Sequence, residues 1–364
     1  MQAGAISNAV VLEECIMQKG EPADAGSKML ENFIAPFDAE VVVRLRDNGF
    51  SIAGRAQMDE FAFGRITKGK DDSLSQAVQF ILEGKAKFAL CNDLFGKLRS
   101  QTAENELCYI HPSYGTVSRY GLIQSVCSMD QIGVACKDVA EGFELLSAIV
   151  GSDQKDGAMF PEGRYKYSET NKSLRVGIPS NVLNQAGVDA RESITKVSEK
   201  FKIIDTDLMY FEMYKQVFYI LACAELANNT NRYDGVKFGY RAKDFKGVND
   251  MYIKSRTEAL GLEVKLAAIM GGHVLSREHY APLYEKAMKL RGMIKRSIKF
   301  DEYDIVALPL SIGDDPYENL ALHALAPLAG LPCISFSYKG QGVQLLANVK
   351  CENDLLTAWK VVQS

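Results

Sequence analysis

Apolar residues recur every three or four positions in several segments of the chain, a spacing typical of helices that bury one face. Residues 38–48 carry Val41, Val42 and Leu45 on one side and are followed by Gly49, a common helix stop. The same reasoning predicts four more helices, of which the third is largely apolar and the last is rich in charge: residues 73–83, 138–150, 210–228 and 277–299.

Short apolar runs, typical of buried strands, alternate with these helices. Such alternation favours the α/β class, and one mixed sheet fits a single large domain better than two small ones. We therefore expect one domain over residues 1–364. The polar stretch at residues 163–172 is expected to be a loop, either a lid or a plain surface connection. The predicted strands are residues 50–54, 87–91, 175–179, 303–309 and 332–336.

Composition and charge exclude several classes of function. The 364 residues are 47% apolar and 24% charged, ordinary for a globular protein, and the net charge of −4 gives no overall footprint for nucleic acid. No apolar run is long enough to span a membrane, and the first residues lack the pattern of a signal peptide. These observations predict a cytoplasmic protein.

Cysteine and histidine provide no evident metal or redox site. None of the eight cysteines forms a C-x-x-C pair, and most stand among apolar neighbours, so we expect buried, reduced thiols. His273 and His279 are six residues apart, which does not place them on one helix face. We expect neither a metal nor a cofactor. Arg44 and Arg46 are expected on a solvated helix face.

Six segments, in order along nearly the whole chain, resemble the amidase-signature family, and in particular the A subunit of glutamyl-tRNA(Gln)/aspartyl-tRNA(Asn) amidotransferase. The resemblance implies the amidase-signature fold, a central mixed β-sheet covered by helices on both faces, with this chain shortened at its N-terminus and around residues 64–73. The segments are SKMLENFIAPFDAEVV (27–42), GRAQMDEF (54–61), PSYGTVSRYGL (112–122), SMDQIG (128–133), RYDGVKFGYR (232–241) and LAGLP (328–332).

The resemblance implies a serine–cis-serine–lysine triad, in which lysine acts through a bridging serine on a nucleophilic serine. The lysine position is assigned to Arg55, whose guanidinium stays protonated and cannot act as a base. The bridging serine matches Ser73, and the nucleophile, 24 residues downstream, matches Lys97. Of the triad only the bridge is kept, and this predicts a pseudoenzyme.

The glycine-rich loops implied by the resemblance are also altered. Near the nucleophile position, Asp93, Gly96 and Arg99 fit the family pattern, but Leu94 and Phe95 replace a Thr-Gly pair. Glycine lets the backbone approach a ligand, so bulky side chains are expected to enter or reshape the oxyanion loop.

Substrate-binding positions are partly retained. By resemblance, Arg291 matches an arginine that holds the glutamine substrate, and Tyr240 matches a pocket tyrosine. With Asp93 and Arg99 they form the predicted ligand-binding set. The aspartate expected before LAGLP falls on Leu320, which removes the partner of a substrate ammonium group.

Four functions remain open. The chain is a non-catalytic binding or scaffolding protein, a component of an amidotransferase-like complex with other protein subunits, an enzyme with repurposed lysine chemistry at Lys97, or an ordinary amidase. Two cations, Arg55 and Lys97, in one pocket would repel each other unless Asp93 or Asp59 offsets them. The first reading therefore predicts a small anionic ligand in the former active site.

Overall fold

A single mixed sheet of ten strands runs through the part of the chain that the computed structural model describes, residues 8–64 and 73–364. Its strand order is β2-β1-β3-β5-β4-β9-β10-β8-β6-β7. The strands are parallel at both edges and antiparallel from β3 to β8. The strands are β1 (Ala9–Glu13), β2 (Ser51–Ala56), β3 (Phe88–Asn92), β4 (Cys108–His111), β5 (Ile132–Cys136), β6 (Arg175–Pro179), β7 (Lys202–Thr206), β8 (Ile305–Pro309), β9 (Cys333–Tyr338) and β10 (Gln341–Ala347).

Helices connect the strands, and the five predicted helices are all present with adjusted ends. The charged one begins with a π-helical turn at Tyr280–Glu285, and the apolar one follows a 3-10 turn at Phe211–Met213. The helices are α1 (Glu40–Asp47), α2 (Gln76–Leu82), α3 (Lys97–Glu104), α4 (Val139–Ile149), α5 (Ser180–Leu183), α6 (Val188–Ser198), α7 (Tyr214–Thr230), α8 (Val248–Ala259), α9 (Leu262–Val274), α10 (Lys286–Ser297), α11 (Pro316–Ala329) and α12 (Glu352–Gln363).

The two faces of the sheet are covered separately, as expected for an α/β fold. Successive residues of a strand point to opposite faces. In β1, Val10 and Leu12 belong to the large core shared with α1 and α4, whereas Val11 belongs to a smaller core. That smaller core is formed with Ala77 of α2 and Leu98 of α3. Helices therefore bury both faces of the sheet.

Arg44 of α1 is buried, not solvated as the sequence predicted. Its side chain is 2% exposed, its Nε pairs with Glu40 at 2.9 Å, and its Nη1 donates to the carbonyls of Ile149 and Val150. These carbonyls lie at the end of α4, where a helix leaves carbonyl groups without intrahelical partners. Arg44 thus fastens α1 to the end of α4, while Arg46 remains 47% exposed and pairs with Asp38.

Residues 163–172 have no helix or strand, as predicted for a loop. The loop is tied to α12, because Thr170 N donates to the hydroxyl of Thr357 at 2.9 Å. Within the described residues, no helix has both the length and the apolar character needed to cross a membrane.

Candidate functional site

A cavity of about 430 Å³ lies at the carboxyl end of β1, beside the first turn of α3. Two of the three predicted triad positions, Ser73 and Lys97, lie on its wall, and Arg55 does not. The other polar residues of the described wall are Glu13, Gln57, Asp59, Ser75, Gln76, Gln79, Asn92 and Asp93.

Lys97 opens α3 and is held by a carboxylate across the cavity. Its Nζ lies 3.0 Å and 3.1 Å from the two carboxylate oxygens of Asp59. A cation at the N-terminus of a helix is disfavoured by the helix dipole, so the ion pair offsets an unfavourable position. An ammonium group that donates to both oxygens of a carboxylate has no lone pair with which to attack a carbonyl.

Glu13, the last residue of β1, is a buried ionisable side chain that the sequence analysis missed. It is 3% exposed, and one carboxylate oxygen accepts a hydrogen bond from Asn92 N at 2.8 Å. Burial raises the pKa of Glu13 to about 8, with further raising from Asp93 and Asp59, while the Asn92 bond and Lys97 lower it. The sequence signal that could have indicated Glu13 is an acidic residue directly after the apolar run from Ala9 to Leu12.

Arg55 lies on the opposite face of the sheet from this cavity. In the β1–β2 register Glu13 stands beside Ala56, and Ala56 belongs to the smaller core with Val11. Arg55, one residue earlier, therefore points the other way. Its guanidinium donates to the carbonyls of Ile16 at 2.6 Å and Pro22 at 3.3 Å.

Ser73 precedes α2 and does not belong to it, contrary to the predicted start of that helix. The helix is capped by Ser75, whose hydroxyl accepts from Ala77 N at 3.3 Å. Gln101 of α3 fixes the segment before the helix: its amide donates to Ser73 O at 3.0 Å and accepts from Ser75 N at 2.9 Å. The stretch predicted to be shortened, between Gly64 and Ser73, lies outside the described residues.

Asp93 and Arg99 form a buried ion pair, so these two predicted ligand-binding residues bind each other. The pair is 2.9 Å long, with the side chains 3% and 0% exposed, and Arg99 also donates to the carbonyl of His323. Burial by itself would raise the pKa of Asp93, but the charge and hydrogen bonds of Arg99 outweigh it and lower that pKa. Asp93 also accepts from Leu98 N at 3.1 Å and so caps α3. Asp93 borders the cavity, whereas Arg99 is behind it.

Leu94 and Phe95, in the predicted oxyanion loop, pack into the core. They are 1% and 3% exposed, and the Phe95 ring lies edge-on to Phe63 at 4.8 Å and to Phe218 at 5.1 Å. Gly96 still adopts a φ of 78°, and a side chain there would meet the ring of His323.

Tyr240 and Arg291 do not reach this cavity. Tyr240 lies in a separate cavity of about 670 Å³, where its hydroxyl donates to Glu258 at 2.7 Å. Arg291 borders a third cavity of about 460 Å³ and donates to the hydroxyl of Ser128 at 2.7 Å and to Leu328 O at 2.7 Å. The four predicted ligand-binding residues are thus divided among separate places. Leu320, the predicted replacement for an aspartate, is buried in α11.

The predicted pocket of two cations does not form. Lys97 is the one cationic residue on the described wall, and it faces three carboxylates, those of Glu13, Asp59 and Asp93. Since the expectation of an anionic ligand rested on two unpaired cations, this geometry removes its basis.

The remaining candidate residues form no metal or disulfide site within the described part of the chain. All eight cysteines are free, and six are buried, as predicted. His273 lies on α9 and His279 beyond its end, and their ring centroids are 3.8 Å apart although the two residues do not share a helix. No third metal-ligating side chain among the described residues joins them.

Known proteins with similar sequences and structures share the fold described above. A family model described as Amidase matches residues 9–70 and 83–324. The A subunit of the glutamyl-tRNA(Gln) amidotransferase of Lachnoclostridium phytofermentans is 33% identical over 366 residues, covering 90% of this chain and 74% of that protein. The protein of the same name from Caldanaerobacter subterraneus is also 33% identical, over 90% of this chain and 75% of its own length.

Two solved structures show the same architecture. The A subunit of the Thermotoga maritima glutamyl-tRNA(Gln) amidotransferase superposes with a TM-score of 0.76 at 22% identity, over 97% of this chain and 82% of that one. The native peptide amidase of Stenotrophomonas maltophilia superposes with a TM-score of 0.77 at 18% identity, over 99% of this chain and 82% of that one. With the family model matching most of its length, this chain belongs to the amidase family.

Proposed function

We propose that this chain is a non-hydrolytic member of the amidase family, a binding or scaffolding protein that holds a ligand in the cavity without cleaving it. The observation that carries the proposal is Lys97, which stands where the resemblance expects a nucleophilic serine and donates to both carboxylate oxygens of Asp59. An ammonium group thus replaces the serine hydroxyl with which Ser73 would exchange a proton.

Two further features of the cavity support the proposal. Leu94 and Phe95, which stand where the resemblance expects a Thr-Gly pair in the oxyanion loop, are bulky and buried in the core. Glu13 adds an acidic group to the cavity wall, whereas acyl transfer needs positively charged or hydrogen-bond-donating groups to stabilise developing negative charge.

Ammonia release from glutamine and simple amides tests the proposal. We expect no turnover above that of the heat-denatured protein. Turnover that is lost in Ser73→Ala would contradict it and restore the reading as an active amidase. Turnover lost in Lys97→Met but kept in Ser73→Ala would favour repurposed lysine chemistry, which borohydride trapping with a carbonyl substrate would confirm as a lysine adduct.

A second proposal is that the chain works within an amidotransferase-like complex, together with other protein subunits. The relatives above are named as subunits, and α9 presents an apolar stripe that no part of the described chain covers. Leu262, Leu266, Ile269 and Met270 repeat at helical spacing, and Ile269 is 71% exposed. The opposite side of α9 packs on α7, so this stripe is the outer face of the helix.

Purification of the tagged chain from its native host tests the second proposal. We expect a companion protein in stoichiometric amount with the wild type, and its loss in Ile269→Lys. Val188→Lys, at a 74% exposed position on α6, is the matched control and should keep the companion. Recovery of the wild-type chain as a lone monomer would contradict the proposal.

A further inference from the structure

We infer that the cavity beside Glu13 takes a small organic cation, a protonated amine or guanidine, with the Glu13 carboxylate as its counter-ion. The inference rests on the proposed non-hydrolytic function and names the class of ligand. The cavity volume of about 430 Å³ is in the range of pockets for small molecules.

The charge on the cavity wall selects the sign of the ligand. Three carboxylates face one ammonium group there, and two of the three already have a cationic partner: Asp93 pairs with Arg99, and Asp59 pairs with Lys97. The third carboxylate, that of Glu13, is in none of the ion pairs of the described residues, and Glu13 is only 3% exposed. A buried carboxylate is costly unless a cation or hydrogen-bond donors compensate it.

The described groups around Glu13 donate hydrogen bonds to its carboxylate but supply no paired cation. The amide of Asn92 donates to one oxygen, and amide side chains on the wall, such as Gln57 and Gln76, offer further polar contacts to a ligand. Burial raises the pKa of Glu13 to about 8, so a bound cation would shift it towards the ionised form and release a proton. The groups that act on Glu13 electrostatically are Asp59, Asp93 and Lys97 across the cavity and the thiols of Cys15 and Cys91 and the phenol of Tyr109 beside it.

Calorimetric titration with three molecules of similar size tests the inference. The probes are n-propylguanidinium, which stays protonated throughout, the neutral n-propylurea, and the anion butyrate. We expect the wild type to bind the guanidinium and to bind neither the urea nor butyrate. Its affinity should rise about fifty-fold from pH 6 to pH 8, the change in ionised fraction of a carboxyl group with a pKa of about 8.

Two variants separate the counter-ion from a general effect on folding. Glu13→Gln keeps the shape and the hydrogen bond from Asn92, and it should lose both the binding and its pH dependence. Glu352→Gln removes another buried carboxylate, one that accepts from Ser113 N at 2.9 Å away from this cavity, and it should bind as the wild type does. Equal affinity for the urea, tighter binding of butyrate, unchanged binding by Glu13→Gln, or no binding of any probe would overturn the inference.

Product analysis of the titration samples distinguishes failure of the cation site from failure of the non-hydrolytic function. Conversion of the bound guanidinium to urea or amine, measured in the same samples, would contradict the non-hydrolytic function and leave the cation site intact. Absence of both binding and turnover would overturn the cation site and leave the non-hydrolytic function standing.

Discussion

At the scale of single residues, the buried ionisable side chains have the largest consequences for stability. Glu13, Asp93, Arg99 and Arg44 are all nearly inaccessible, and three of them have an ionic partner. Burying an ion is expensive, and the cost is recovered only with a partner of good geometry. The stability of the protein is therefore sensitive to removal of one member of a pair.

Arg99→Met is expected to lower the free energy of unfolding by about 3–5 kcal/mol, because it leaves Asp93 buried without its partner. The double variant Asp93→Asn with Arg99→Met should recover part of that loss. Urea unfolding at pH 7 measures both.

Lys85→Met is the matched control, since its pair with Glu83 is exposed on both sides, 63% and 52%, and should change stability by less than about 1 kcal/mol. Equal effects at Arg99 and Lys85 would show that the buried pair contributes no more than a surface pair.

Glu13 makes stability depend on pH. Its pKa is raised from 4.5 to about 8 in the folded protein, so between these values the folded state holds a proton that the unfolded state has released. The contribution of Glu13 to the free energy of unfolding is fully present below pH 4.5 and is lost as the pH rises towards 8.

Glu13→Gln removes that dependence. As the pH rises from 4.5 to 8, the free energy of unfolding of the variant should increase relative to that of the wild type by on the order of a few kcal/mol. Above pH 8 the difference between the two proteins should stay constant. Denaturant unfolding at a series of pH values measures it. A difference that does not change with pH would contradict a raised pKa for Glu13.

At the scale of elements, close helix packing depends on single glycines. In α9, Gly271 faces α7, and a methyl group there would lie 2.1 Å from the carbonyl oxygen of Cys223 and 2.5 Å from the methyl group of Ala227. The next residue, Gly272, has open space around it. Of these two adjacent glycines, Gly271 is required for the close contact between α7 and α9 and Gly272 is not.

Gly271→Ala is expected to destabilise the protein by about 1–3 kcal/mol, because the added carbon overpacks the α7–α9 contact. Gly272→Ala should stabilise it by about 0.5–1 kcal/mol, since alanine is the better helix former and meets nothing. Thermal unfolding followed by circular dichroism compares them, and a stabilising Gly271→Ala would mean that the two helices can separate without cost.

At the scale of the whole molecule, one sheet joins the first strand to the last. The strands β1 and β10 belong to the same ten-stranded sheet, and one large apolar core extends from Val10 to Val362. Since no break in this core separates two units, we keep the prediction of a single domain.

Calorimetric unfolding checks the single domain. We expect one transition, with a calorimetric enthalpy equal to the van't Hoff enthalpy within error. Limited proteolysis that yields a stable fragment ending between β5 and β6, or two resolved transitions, would contradict it.

Much of the fold could be read from the sequence, because local patterns determine it. The periodicity of Val41, Val42 and Leu45 predicted α1, and the apolar runs predicted five of the strands within a few residues. The other five strands, β1, β4, β5, β7 and β10, were not predicted. The apolar run of β1 is only four residues long before Glu13, and periodicity does not distinguish so short a run from a segment of buried helix.

The candidate site could be predicted only in part, since its residues meet through the sheet. Ser73 and Lys97, which the resemblance assigned to one site, line the same cavity. The sequence could not show that Arg55 points away, because a shift of one residue in the register of a strand moves a side chain to the other face, and β2 pairs with β1 across an irregularity.

The sequence by itself determined the class of fold and the family, because these depend on local periodicity and on residue identity. Tertiary structure alone decided the charge of the cavity. Glu13, Asp59 and Lys97 come from three separate segments, and only the pairing of β1 with its neighbours and the start of α3 bring them together. Since electrostatic interactions depend on distance and burial, a site that residue identities alone would make cationic is in fact rich in carboxylates.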